Sequence, residues 1–367
     1  MPFESGAVSF RMYHLSRALP ERVLDGFLQR VAPPLDTVRD QSVYGWVTGR
    51  YLLDRKIDEV NAYYGGWLRL CLLQAERKIP ASLLRAEVMQ EELIRLSVSG
   101  NESLARREKQ EMKQEIMDRL LPTMPPQLKG MTFVHREGQA DLFAETLAEK
   151  QVDVFVSYLR EAIGFTPDVV TPESLAMRLG HTDAREWAPC SFSENVEPER
   201  TSPVAGHDFM TWLWFQSEMN PDKVPAADEG TVGVLVEGPL TLVMEGGGAH
   251  EISLRKGNPT VSAEAKAGLE AGKKLRKATI NLVRGDQVWR FGLDGETFAV
   301  RSLKLVTSEG VVDAISRFQD RMLQVEVIKD LLIGLYKAFL DVRKDPKLWS
   351  QTVKEMQEWV QKRNVTF

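Results

Sequence analysis

The sequence predicts an α+β fold of antiparallel sheets and long helices. Two kinds of segment carry this: short runs in which apolar and polar residues alternate, and longer runs in which apolar residues recur at three and four. The turns agree, because Arg284-Gly285-Asp286 and Asp294-Gly295 separate strand-like runs that follow one another as a meander. The chain has 367 residues, roughly two to three times the usual domain size, so two or three substructures are expected.

In the first half, residues 7–15 alternate Val8, Phe10 and Met12 with polar neighbours and read as a half-buried strand. Pro20 stands where a helix would start, and Val23, Leu24, Phe27, Leu28 and Val31 continue at helical spacing up to Pro33. Residues 67–74 read as a second strand. Pro80 opens a long amphipathic region to Leu121, interrupted at Ser99-Gly100-Asn101, which predicts a helical pair with a polar elbow. Pro122, Pro125 and Pro126 end it, since proline lacks the amide donor a helix interior needs. Residues 132–135 and 140–144 flank Arg136-Glu137-Gly138 as a hairpin. Thr146 and Glu149 have capping-box spacing ahead of a stripe of Val152, Phe155, Val156, Leu159 and Ile163 that ends at Gly164.

The second half changes character twice. Residues 182–238 hold eleven acids against three bases, together with Phe209, Trp212, Trp214 and Phe215. That aromatic cluster reads as a buried strand or a contact surface, and its density favours packing. Between 255 and 290 the balance reverses to nine bases against three acids. Ser262 to Gly272 reads as a short helix with a capping serine and a terminal glycine, followed by strands near 275–283, 287–293 and 297–305. From Ser308 the pattern is helical again through Val312, Ile315 and Phe318. A stripe of Val327, Leu331, Leu332, Leu335 and Phe339 is then expected to build a dimer contact or its supporting core. The divisions read from these shifts are an N-terminal α+β region (1–180), an acidic and aromatic insertion with a basic tip (181–260), a helix, meander and C-terminal helices (261–345), and a C-terminal extension (346–367).

Lys and Arg total 47 against 52 Asp and Glu, a net charge of -5, which excludes a globally basic nucleic-acid binder and leaves only a local basic surface. Cys71 and Cys190 cannot form a disulfide framework or a cysteine zinc site, and a reducing cytoplasm fits them best. No export signal or membrane span is expected, because charged residues break the apolar stretch at 327–340. Gly268 to Lys274 lacks the spacing and the Ser or Thr of a phosphate-binding loop, so Gly272 reads as a helix end. Glu245-Gly246-Gly247-Gly248 reads as a loop, not as a dinucleotide fingerprint. The five histidines are dispersed, and no cofactor, metal site or enzyme activity is expected. Asp286, Glu296 and Lys304 are the nearest set for a metal nuclease, but their spacing is unspecific and reads as turn and surface.

What remains is the basic run Lys273, Lys274, Arg276 and Lys277, whose charges straddle the start of a strand and could neutralise neighbouring phosphates. Here the order of motifs resembles the RdgC family of recombination-associated nucleoid proteins. The matching stretches are Lys78-Ile79-Pro80; Glu108-Lys109 through Lys113, Glu115 and Leu120-Leu121-Pro122; and Leu269-Glu270-Ala271-Gly272-Lys273 with Lys277, on through the meander to Leu303-Lys304. Leu15-Ser16-Arg17 and Gly45-Trp46-Val47 are similar as well.

The resemblance implies a ring-shaped homodimer that encircles double-stranded DNA with little sequence preference and limits RecA action, in the cytoplasm and associated with the nucleoid. It places the family's fingertip cations on Arg255 and Lys256, and its EAGK segment on Lys273 and Lys277. After Leu120-Leu121-Pro122 the family has arginine and phenylalanine, whereas this chain has Lys129 as its only nearby cation; residues 182–240 and the tail match poorly. The expected DNA-contacting set is therefore Arg255, Lys256, Lys273, Lys274, Arg276, Lys277 and Lys129, and Lys273 and Lys277 are taken as exposed, so that replacing both with glutamate would leave folding nearly unchanged. The competing readings are a metal-dependent DNA-processing enzyme and a protein-interaction module without DNA binding.

Overall fold

The computed structural model describes residues 3–100, 102–182, 186–198, 203–246, 250–306 and 313–363. Asn101 of the elbow, Asp183, Arg185, Glu199 and Arg200 of the charge count, Gly247 and Gly248 of the glycine loop, and Ser308 and Val312 of the last helical stripe lie outside them.

The α+β class holds. Strand β1 (Val8–His14) is followed by α1 (Val23–Leu28), β2 (Val43–Thr48), α2 (Glu59–Ala62), β3 (Tyr63–Tyr64) and β4 (Trp67–Arg77). Helix α1 is shorter than its periodicity suggests: it has no side-chain cap at Arg22, and Val31 instead makes a bridge to Trp46. The elbowed pair is present as α3 (Ala81–Ser99) and α4 (Arg106–Leu120), with Gly100 at φ 68° closing α3 in the left-handed conformation that glycine tolerates. Strand β5 (Pro126–Arg136) and β6 (Asp141–Ala144) form the predicted hairpin, and α5 (Glu149–Ile163) follows. Thr146 does not cap α5. Its hydroxyl is paired with buried Tyr13, and Gln151 reaches back to the amides of Leu147 and Ala148 instead.

Next come β7 (Asp168–Val169), α6 (Pro172–Arg178) and α7 (Ala205–Met219). The aromatic cluster therefore lies on a helix, not on a strand, and Phe209, Trp212, Trp214 and Phe215 are all buried. The remaining elements are β8 (Val224–Pro225), β9 (Thr231–Val243), β10 (Glu251–Leu254), α8 (Ala263–Glu270), the meander β11 (Lys274–Arg284), β12 (Gln287–Asp294) and β13 (Ala299–Lys304), then α9 (Ala314–Lys344) and α10 (Pro346–Lys362). The stripe of Leu331, Leu332, Leu335 and Phe339 is core, and α10 folds back onto it through Trp349, Met356 and Trp359.

The strands join in one antiparallel sheet of order β10-β9-β11-β12-β13-β1-β6-β5-β4-β2, with β3, β7 and β8 paired at its margins. One apolar core lies between the β9 to β13 half and helices α7, α9 and α10; a second lies between the β2 to β6 half and α1 and α5. Helices α3 and α4 pack chiefly on each other through Leu84, Val88 and Leu96 against Leu104, Met112 and Ile116. This pair is an arm, because α3 buries no residue fully and leaves Met89, Leu93, Ile94 and Val98 exposed. Among the described residues no helix is long and apolar enough to cross a membrane.

The start of α7 is fixed by backbone contact. A Cβ built on Gly206 would lie 1.7 Å from the carbonyl oxygen of Gly295, so helix and turn touch where any side chain would intrude. Gly206→Ala should destabilise the protein by about 2 kcal/mol, read as a lower urea midpoint with unchanged slope. A midpoint within error of the parent would refute this contact.

Candidate nucleic-acid interface

The path to the basic run is set by the end of α8. The Ser262 hydroxyl caps this helix by accepting from the Ala265 amide at 3.1 Å. At its other end the Lys273 amide donates to the Gly268 carbonyl at 3.0 Å across Gly272, whose φ is 84°. This double-back is a helix terminator, and it aims the chain inward instead of cradling a phosphate.

Lys274 consequently enters the interior. Its ammonium donates to Asp208 at 2.6 Å and Glu245 at 2.7 Å, with side-chain exposures of 4% for the lysine and 0% for Asp208. Burial opposes the ammonium's charge, but Asp208 and Glu245 more than offset it and raise its pKa. His207 lies between two carboxylates, 3.0 Å from Glu245 and 3.1 Å from Glu296. Burial disfavours its proton, yet these two hydrogen bonds prevail and raise its pKa. Burial likewise works against the Glu245 carboxylate, but His207 and Lys274 hold it down to about 2. Arg276 extends the chain of charges to Glu296 at 2.7 Å and Glu251 at 3.1 Å, and Lys277 pairs with Asp294 at 3.1 Å. Beside this network burial pushes the Cys190 thiol up, the opposite of what a nucleophile needs.

The expected DNA-contacting set therefore divides. Lys273 and Lys274 are buried, not exposed: the Lys273 ammonium donates to the His250 carbonyl at 3.2 Å, and Lys274 is consumed by two carboxylates. Replacing Lys273 with glutamate would bury a new charge, which corrects the expectation of an unchanged fold. Arg276 and Lys277 are half-buried and paired. Arg255 and Lys256, just beyond β10, are exposed and make no ion pair among the described residues. Lys129 is exposed on β5, pairs with Glu76 at 3.5 Å, and is separated from β11 by β6, β1, β13 and β12. The nuclease set is not assembled: Asp286 precedes β12 and Glu296 follows it, and no group of three or more metal-ligating side chains occurs among the described residues.

Sequence reading missed the uncovered face of the β9 to β13 half-sheet. Register places Leu235, Asn281, Arg290 and Lys304 abreast, and Glu237, Thr279 and Arg301 abreast beside them. Their neighbours Ile280, Leu282, Trp289 and Phe291 point the other way into the core. Arg301 and Lys304 are exposed without an ion pair among the described residues, and Arg290 is half-exposed, paired with Glu237 at 2.9 Å. Alternation through β12 was the available signal for Arg290, but β13 breaks the period at Ser302, so no simple pattern marks Arg301 and Lys304 together.

Two outcomes follow from the buried network. Lys274→Ala should cost about 3 kcal/mol or more, because it leaves buried Asp208 without its ammonium, whereas Arg255→Ala should cost nearly nothing. His207 has a folded-state pKa above its unfolded value, so its contribution is complete below about pH 6.5 and is lost as pH rises through the raised value. The stability gap between the parent and His207→Gln, from urea unfolding, should therefore shrink from pH 6 towards pH 9. A gap that widens would assign His207 a neutral role.

Residues 9–181, from β1 to just past α6, match the family described as "Putative exonuclease, RdgC". A recombination-associated protein RdgC of Tolumonas auensis is 24% identical over 131 residues, 36% of this chain and 42% of that protein. Another, of Pseudoalteromonas atlantica, is 25% identical over 178 residues, 47% of this chain and 57% of its own length. The chain thus spans about half the length of the curated relatives it matches. Through residues 9–181 the chain is related to the RdgC family.

Proposed function

We propose that this protein binds double-stranded DNA without sequence preference, acts in recombination, and does so as a homodimer that closes around the duplex. The observation that carries the reading is the uncovered sheet face, where Arg301 and Lys304 are exposed without an ion pair among the described residues beside Arg290 and Thr279, with Arg255 and Lys256 just beyond β10. Exposed cations beside polar side chains suit phosphate contacts, which fix position without reading sequence. The names of the relatives supply recombination as the setting. Occupying duplex in this way is how the protein would limit RecA in the nucleoid. The exposed stripe of Met89, Leu93, Ile94 and Val98 on the α3–α4 arm is a surface a second copy could cover in closing a ring.

A mobility-shift titration tests this. Binding should fall steeply with salt, and Arg301→Glu with Lys304→Glu should weaken every duplex about equally and lower the log-log salt slope by roughly 0.9 for each phosphate no longer neutralised. Melting temperature should be unchanged, since both side chains are exposed. Unaltered affinity in the folded double variant would remove this face from the DNA path. Light scattering that shows a monomer at micromolar concentration would remove the ring. Loss of labelled duplex only with magnesium would favour the DNA-processing activity in the family's description.

A further inference from the structure

Where α9 turns into α10, a cavity of about 500 Å³ opens between the loop after α6, Trp187 and the helix corner. That volume falls within the range of small-molecule sites. Its wall is flat and aromatic: the Arg343 guanidinium lies 5.1 Å from the Trp187 ring centroid and 4.5 Å from that of Trp349. Arg343 is 8% exposed and donates to the Ala188 carbonyl at 2.7 Å, while its Nε is buried without a hydrogen-bond partner. The carboxylate facing it, Asp208 at 3.8 Å, is already bound to Lys274.

The rim carries one ammonium and one imidazole. Lys344 is exposed, and His181 beside it is half-buried, with its proton affinity lowered by burial and then by the charge of Lys344, against the smaller opposing pull of Asp341. Asp345, the other acid at the corner, is engaged by the first turn of α10, accepting from the amides of Lys347 at 2.9 Å and Leu348 at 3.1 Å. An internal staple of Arg343 between two indoles would account for the wall. It does not account for open volume of this size edged by a lysine that makes no ion pair among the described residues.

Flat π surfaces backed by a guanidinium and edged by ammonium and imidazole suit a flat aromatic ring that carries an anion. We propose that this cavity binds a nucleotide, the base against Trp187 and the phosphate at Lys344 and His181. A base paired within a duplex cannot enter it. The occupant is therefore a free mononucleotide or an unpaired nucleotide of a DNA strand, and the site does not depend on the duplex-binding reading.

Equilibrium dialysis with labelled deoxyadenosine monophosphate tests this. Saturable binding at one site per chain is expected, with deoxyadenosine and ribose 5-phosphate each weaker by about tenfold or more, since each lacks one half of the recognised chemistry. Lys344→Glu should weaken the nucleotide about tenfold while leaving the melting temperature and the duplex mobility shift unchanged. Trp187→Leu should weaken it similarly. Short oligo-dT competing better than thymidine monophosphate would identify a strand as the source, and equal or poorer competition would identify the free nucleotide. Absence of saturable binding up to about 1 mM, or full affinity in a folded Lys344→Glu protein, overturns the proposal.

Discussion

The architecture depends on β1 pairing along both of its edges. Val8 and Phe10 face Leu303 and Val300 of β13, while Arg11 to His14 face Ala144 to Asp141 of β6, so one strand of seven residues closes two half-sheets into one. Without it, β13 and β6 would each present an open row of amides and carbonyls. The β13 pairing has a register irregularity between Val8 and Phe10, opposite Ser302 at φ 51°, and the β6 pairing begins at Arg11. Arg11, at the changeover, is buried and held by Glu149 at 2.7 Å. Arg321 of α9 adds a clamp by donating to the carbonyls of Phe3 and Gly6 ahead of the strand. The two halves are thus joined through contacts between residues that lie far apart in sequence, the kind that form late and at high entropic cost.

The same long-range logic explains why charge in this sequence misleads. The acid-rich stretch and the basic run look like separate surfaces, yet Asp208 of the first pairs with Lys274 of the second, as Glu229 does with Arg284 and Glu237 with Arg290. Part of the local imbalance therefore cancels between the two. The buried network around Lys274 stabilises little in net terms but is costly to break, so it fixes how α7 meets β11 more than it strengthens the fold. Cations that make no ion pair among the described residues sit elsewhere, on β13 and in the loop beyond β10.

Elements governed by local chemistry were legible. The break at Ser99-Gly100, the Ser262 cap, Gly272 and the meander turns all stand near the predicted positions, because each is decided within a few residues. Helix α7 was not legible. From Ala205 to Phe215 every residue is buried, so the helix has no solvent face and its sequence carries no period of hydrophobicity to reveal it. The Thr146 cap failed for a tertiary reason, since buried Tyr13 claimed the hydroxyl. For the candidate site, the lysines were visible but their burial was not. The partners of Lys274 lie 66 and 29 residues away, beyond any spacing rule. Arg301 and Lys304 were hidden for a similar reason, since residues three apart share a face only because β13 departs from alternation at Ser302, φ 51°.

The family match and the proposed DNA surface occupy different halves of the chain, and β1 is what relates them. The matched segment starts at Ser9 on that strand, and the Ser9 hydroxyl accepts from the Ser302 amide at 2.8 Å, beside Arg301 on the uncovered face. The RdgC-like half therefore joins its sheet to the second half at β13, and ion pairs such as Arg136 with Glu326 and Lys329 with Asp141 hold α9 across the same junction. Because Val300 and Leu303 face Phe10 and Val8, a substitution on β13 would act on the matched half as well as on the cationic face, so the two halves are coupled at this pairing whatever either one binds.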